Sequence, residues 1–249
     1  MGEPLLVVSA LVKRFGGVLA TDDLSLELEP GETHALIGPN GAGKTTLIAQ
    51  LQGEIRPDAG RIRFDGRDIT FEPAHRRAAL GMARSFQITS VFPRFSVLAN
   101  AVMAVHARAG HRFQFFRRAL SDAALVEPAR EALEAIGLAD RAEVLAENLS
   151  HGERRQLELA MALAMKPRLL LLDEPMAGMG GQDAARVRRL LADLKQRYSI
   201  LLVEHDMGAV FALADRVTVL VGGKAIATGT ANEIRADSRV RAAYLSHRQ

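Results

Sequence analysis

The sequence predicts an α/β fold built on a mostly parallel sheet covered on both faces. Three features carry that expectation. Leu169-Leu170-Leu171-Leu172 is a short uninterrupted apolar run, as in a strand buried on two sides. After it, helical and strand patterns alternate to the end of the chain, the order that builds parallel sheets. Before it, a glycine-rich loop stands between the apolar segment Ala35-Leu36-Ile37 and a helical pattern that begins at Lys44.

Residues 5–37 read as strands. Leu24, Leu26 and Leu28 alternate with Ser25, Glu27 and Glu29, the period of a half-buried strand, and Pro30-Gly31 turns the chain. Residues 44–52 form a helix stopped by Gly53. Pro57-Asp58-Ala59-Gly60 is a turn into the alternating strand Arg61-Ile62-Arg63-Phe64. From about residue 90 to 165 the pattern is helical. Within that stretch Pro128 is expected in the first turn of a helix that continues from Ala129 to Ile136 and ends at Gly137. Residues 153–165 carry Leu157, Ala160, Met161 and Ala164 on one face. The apolar run at 169–172 follows as a central parallel strand. Helix 183–197 then leads to strand Ile200–Val203, and helix 206–213 to strand Val217–Val221. Gly222-Gly223 starts a hairpin into Lys224–Ala227.

Bulk composition removes several functional classes. Apolar residues make up 48% of the 249, enough for a sizeable core. There is no cysteine, hence no disulfide and no thiolate metal site. No apolar run reaches the ~18 residues of a membrane span. Met1-Gly2-Glu3-Pro4 lacks the layout of a secretory signal. The net charge is only +3, and the basic residues are scattered. Aromatics are 5% and do not interleave with them, so no platform for nucleic-acid bases is expected.

Gly38-Pro39-Asn40-Gly41-Ala42-Gly43-Lys44-Thr45-Thr46 spells G-x-x-x-x-G-K-T in the strand–loop–helix setting of a P-loop. Glycines let backbone N–H groups turn inward and cradle phosphate oxygens, and the helix beginning near Gly43 adds its positive dipole end. Lys44 supplies a mobile charge for the outer phosphates of a nucleoside triphosphate, and Thr45 a hydroxyl for Mg²⁺. Leu172-Asp173-Glu174-Pro175 ends the apolar strand with two acids. Alone, it suits a strand cap and turn equally well. With a P-loop upstream, Asp173 is placed to hold Mg²⁺ and Glu174 to accept a proton from attacking water. Leu149-Ser150-His151-Gly152-Glu153 is a capping box whatever else it does. Its Ser hydroxyl, Gly amide and helix start also make a second anion site, which suggests two chains closing on one nucleotide.

These elements, over essentially the whole chain, resemble the ATP-binding subunit of an ABC transporter. That family's Leu-Ser-Gly-Gly-Gln signature stands here as Leu149 to Glu153, with His151 and Glu153 off pattern and Ser150 and Gly152 retained. The resemblance implies that Gln87 is the Q-loop residue that senses Mg²⁺ and the γ-phosphate, that His205 is the switch histidine, and that Phe15 stacks on adenine. It implies a P-loop NTPase (RecA-like) core with an antiparallel β subdomain and a helical signature subdomain, divided at 1–89 and 166–249 against 90–165. The loop Met176-Ala177-Gly178-Met179-Gly180-Gly181 departs from the family at Gly180, where a polar side chain that crosses the dimer is expected.

The contexts Phe15-Gly16-Gly17-Val18, Ala83-Arg84-Ser85-Phe86-Gln87 and Glu204-His205-Asp206-Met207 are similar to importers of branched-chain amino acids, as are the insert at 105–148 and the ending near Tyr244. That ending also argues against the long regulatory domain of some sugar importers. Urea and short-amide importers share much of this pattern. The implied partners are two membrane permeases, a second related ATPase or another copy of this chain, and, indirectly, a periplasmic solute-binding protein. The implied place is the cytoplasmic face of the inner membrane. Val91, Phe92, Phe95 and Val97 suit a docking patch and ordinary core packing equally. A soluble ABC ATPase acting on ribosomes or DNA normally carries two cassettes or a coiled-coil insert, and neither is present. A binding-only scaffold conflicts with intact Lys44, Asp173, Glu174 and His205. No Asn/Thr-Lys-x-Asp motif supports a GTPase.

Overall fold

The computed structural model describes residues 3–85, 91–109, 120–195 and 197–245. Strands β1 (Leu6–Phe15), β2 (Val18–Leu28) and β3 (Thr33–Ile37) come first, then helix α1 (Lys44–Gln52). Strands β4 (Ala59–Phe64) and β5 (Arg67–Asp68), helix α2 (Ala74–Ala79) and strand β6 (Met82–Ser85) follow. Helices α3 (Val97–Ala109), α4 (Ala123–Ile136) and α5 (His151–Ala164) occupy the middle of the chain. The remainder alternates as β7 (Leu169–Asp173), α6 (Gly181–Lys195), β8 (Ser199–Val203), α7 (Met207–Leu213), β9 (Arg216–Val221) and β10 (Lys224–Gly229), closing with α8 (Ala231–Ala236) and α9 (Ser238–Leu245).

The larger sheet has the order β10-β9-β3-β8-β7-β6. Every pairing in it is parallel except the β9–β10 hairpin. The uniform apolarity of β7 and β8 now has its cause. Leu170, Leu172, Ile200 and Leu202 pack into a core shared with α3, α4, α5 and α6. Leu169, Leu171, Leu201 and Val203 face a second core, shared with α1 and with the antiparallel sheet β2-β1-β4-β5. Alternate side chains of one strand therefore enter two different cores, and within 169–172 and 200–203 no position is left for a polar residue. A third cluster joins β3 and β9 to α7, α8 and α9 through Ile37, Val210, Val217, Ile234 and Val240.

One expectation needs correction. The helix containing Pro128 begins five residues earlier than the pattern suggested. Asp122 is its N-cap, accepting from Ala124 N–H at 3.0 Å, and Pro128 lies inside the helix. Packing of Leu125, Ala129, Leu133 and Ile136 against α3 and α5 outweighs the backbone bond that proline cannot make. The apolar strand β7 is interior to its sheet as expected, with parallel neighbours β6 and β8 on its two sides.

Helix α1 carries the glycine loop at its start, and its far end is clamped. The Arg77 guanidinium, 2% exposed, donates to the carbonyls of Gln50 at 2.7 Å, Leu51 at 2.6 Å, Thr70 at 3.0 Å and Glu72 at 2.8 Å. These include C-terminal carbonyls that a helix cannot satisfy itself, met by a cation at the negative end of its dipole. Burial pushes the Arg77 pKa down to about 10, with Glu72 opposing, so the group stays charged at neutral pH. Arg77→Met is expected to cost roughly 3 kcal/mol of stability by orphaning these acceptors, read from urea unfolding.

Candidate functional site

The order β3-β8-β7-β6 sets the carboxyl ends of four parallel strands in a row. From them run the glycine loop after β3, the Glu204-His205 turn after β8, Asp173-Glu174 at the end of β7, and the segment after β6 that leads to Gln87. Ligands of open parallel sheets bind beyond such ends. Gln87 itself lies outside the described residues.

The glycine loop owes its shape to close main-chain contacts. Gly43, the N-cap of α1, has φ 104°, and a Cβ there would stand 2.2 Å from the Ala20 carbonyl oxygen. Gly38 is as tight, 2.2 Å from the Leu220 oxygen. Gly223 N–H donates to Ala42 O at 3.0 Å, and Ala42 N–H to Pro39 O at 3.2 Å. No side chain caps α1, so its first N–H groups face the loop. The Lys44 ammonium folds back to donate to Gly38 O at 2.7 Å and Pro39 O at 3.0 Å. Its burial pushes its pKa down, opposed by the negative charges of Glu174 and Asp173. Asn40, Gly41 and Thr45 are exposed and Thr46 is half-buried.

Asp173, only 1% exposed, has one oxygen on Arg84 Nη2 at 3.2 Å. Its other oxygen is buried with no hydrogen-bond partner. Burial raises its pKa, with Arg84 as the main opposing influence. Arg84 also reaches Gln52 at the end of α1 and Glu54 at 3.4 Å. Glu174 has φ 47°, a left-handed conformation that costs a non-glycine residue about 1–3 kcal/mol and persists only when its surroundings impose it. The side chain of His205 is 67% exposed, and its Nδ1 lies 3.8 Å from Glu174 Oε1. Lys44, Asp173, Glu174 and His205 therefore form one constellation at the strand ends.

Ser150 and Gly152 sit elsewhere in the chain. Ser150 caps α5 through both halves of a capping box, accepting from Glu153 N–H at 3.2 Å while Glu153 accepts from Ser150 N–H at 2.8 Å. Gly152 packs on Asp183 in the first turn of α6, where a Cβ would lie 3.1 Å from the Asp183 carboxyl carbon. Phe15 is 48% exposed at the tip of the β1–β2 hairpin, with Lys13 Nζ 5.5 Å from its ring centroid. The same hairpin's Ala20 is the residue that abuts Gly43. Gly180 has open space around its Cα.

The family model for the ABC transporter matches residues 21–177. The chain belongs to the ABC transporter family. It is 39% identical to the high-affinity branched-chain amino acid transport ATP-binding protein LivG of Salmonella typhimurium, with 98% of this chain and 99% of that protein covered. It is 37% identical to the corresponding BraF protein of Pseudomonas aeruginosa over the same shares. Among solved structures, the ADP conformation of MJ1267, an ATP-binding cassette of an ABC transporter, superposes with a TM-score of 0.86 at 26% identity, covering 99% of this chain and 100% of that one. The chain is accordingly a transport ATPase of the cassette type.

Pattern reading of this ABC ATPase missed two residues beside the constellation. Arg84 and Glu204 were visible only as neighbours of Gln87 and His205, and nothing local announces that each reaches another strand's end. The stretch 91–97, which by sequence suits a docking patch and core packing equally, also divides. Val97 is core, whereas Phe92 is exposed and packs on Phe95 with 5.6 Å between ring centroids. Phe92, Met103, Met161 and Met165 line a groove of about 300 Å³ between α3 and α5, with Arg84 and Glu158 at its polar wall. Among the described residues, no helix is long and apolar enough to cross a membrane.

Gly43→Ala is expected to lower stability by about 2–4 kcal/mol, because the added methyl meets a main-chain oxygen and the backbone is left-handed. Thermal unfolding beside the parent chain reads this directly.

Proposed function

We propose that this chain is the ATP-hydrolysing subunit of an ABC importer for branched-chain amino acids. The observation that carries this reading is similarity over nearly the whole length to the LivG and BraF subunits. The geometry supports the hydrolytic half of it. ATP binds with its phosphates on the loop Gly38-Pro39-Asn40-Gly41-Ala42-Gly43 and the first turn of α1, where Lys44 leaves the loop carbonyls for the outer phosphates. Thr46 completes that first turn, and Phe15 offers an exposed ring to adenine.

The residues present also suit Mg²⁺. Asp173 has a buried oxygen lacking a partner, and Thr45 presents an exposed hydroxyl. Among the described residues no cluster of three or more acids and histidines could hold a metal alone, so phosphate oxygens would complete the shell, as is usual for this ion. Asp173, Thr45 and Gln87 would hold Mg²⁺, which neutralises charge building on the phosphates. Glu174 takes the proton of the attacking water, and His205, beside Glu174, holds the γ-phosphate geometry together with Gln87. Ser150 and Gly152 stand at the start of α5, with Gly152 on Asp183, and act on the nucleotide of a facing cassette. With Gly180 lacking a side chain, contact across that interface at this loop is main-chain only.

The division of labour follows 1–89 and 166–249 as the nucleotide-binding core and 90–165 as the helical part. Two permeases dock on the groove between α3 and α5, a second cassette or another copy of this chain completes the pair, and a periplasmic binding protein delivers the solute. The chain then works at the cytoplasmic face of the inner membrane.

Glu174→Gln is expected to cut turnover by roughly 10²–10⁴-fold while ATP binding persists. Near-normal hydrolysis would reassign the base. Co-expression with a permease pair of the branched-chain amino acid type, followed by labelled leucine uptake into proteoliposomes, tests the transport half. Uptake of urea or a short amide in place of leucine would reassign the cargo.

A further inference from the structure

Glu204 closes β8 one residue before His205, and it is 1% exposed. The hydrolytic scheme above gives it no role. A carboxylate buried to that degree needs donors, and those of Glu204 are main-chain N–H groups from two loops. Its Oε1 accepts from Met176 N–H at 3.3 Å. Its Oε2 accepts from His205 N–H at 3.0 Å and, at the limit of a hydrogen bond, from Asp206 N–H at 3.5 Å. Met176 lies two residues after Glu174. One side chain thus straps the loop leaving β7 to the loop leaving β8.

Two further observations give the strap a purpose. The left-handed backbone of Glu174 has to be held from outside. Glu174 N–H is bonded to Val203 O at 2.9 Å, and Ala177 N–H to Glu174 O at 3.0 Å. Pro175 has no N–H to offer, so Met176 is the first donor after Glu174, and Glu204 is what it meets. The His205 ring completes the arrangement, because Nδ1 is 3.8 Å from Glu204 Oε2 and also 3.8 Å from Glu174 Oε1.

We infer that Glu204 is a positioning residue, whose carboxylate fixes the separation of Glu174 and His205 and pins the strained turn at Glu174. Hydrolysis then depends on it, and nucleotide binding does not. Only an acceptor at both oxygens serves. An amide would turn a donor toward one of the N–H groups, and an aspartate is one methylene too short to reach both loops. This inference rests on the reading of Glu174 as the base.

The test uses the full chain with Glu204→Gln and Glu204→Asp. Both are expected to lower kcat by roughly 10–100-fold, the scale set by small misplacements of catalytic groups. KM for ATP and the affinity for a fluorescent ATP analogue should stay within about threefold of the parent, a split that general loss of structure would not produce. A kcat within threefold of the parent overturns the inference, as does a loss of nucleotide affinity equal to the loss of kcat. Amide hydrogen exchange on the parent chain needs no variant. The Met176 N–H should be protected like the amides of β8, and exchange at the unprotected rate overturns the strap even if neither variant folds. Full hydrolysis by Glu174→Gln would overturn the base assignment alone, since Met176 protection would still report on the strap.

Discussion

Three parallel strands buried on both faces leave their carboxyl ends as the place where polar side chains can gather. Every residue of β3, β7 and β8 is buried. Their alternate side chains fill one core under the helices and another under the antiparallel sheet. A charged residue within the apolar runs 169–172 or 200–203 would sit in apolar surroundings without partners. The chemistry is therefore displaced to the last residue of β7 and the first residues beyond the strands, and parallel pairing brings those residues to one edge. Leu36 lies opposite Val203, and Val203 opposite Asp173. The glycine loop, Glu204-His205 and Asp173-Glu174 become neighbours although the chain separates them widely.

That arrangement concentrates charge in poorly solvated space, and the side chains balance it. Burial pushes Lys44 and Asp173 toward their neutral forms. The acids Glu174 and Asp173 oppose this at Lys44, and Arg84 opposes it at Asp173. Arg84 belongs to the edge strand β6 yet touches the end of α1 and the end of β7. It also forms part of the wall of the apolar groove between α3 and α5. A single guanidinium thus joins the wall of that groove to the buried acid at the end of β7.

Much of the fold was legible because its signals are local. The 44–52 helix, the 169–172 strand and the β9–β10 hairpin were read within a residue or two of their bounds. What escaped lacked a local signal. Met82–Ser85 is four residues of mixed character, and only pairing with β7 makes it a strand. Pro128 reads as a helix start by its own chemistry, and tertiary packing on α3 and α5 carries the helix through it. Val97 and Phe92 look alike in an apolar stretch, yet one is fully buried and the other exposed.

The sequence by itself determined the motif residues and their order, since glycines, a lysine and paired acids at set spacings express chemistry that needs no knowledge of neighbours. It also determined the two-faced burial of β7 and β8, through the apolar runs 169–172 and 200–203. Only the tertiary structure decided which residues meet. The strand order puts His205 beside Glu174, sends Arg84 to Asp173, and turns Glu204 inward to two loops. It also packs Gly152 against Asp183. These are contacts between segments far apart in the chain, and pairing across a sheet leaves no trace in the local pattern of either partner.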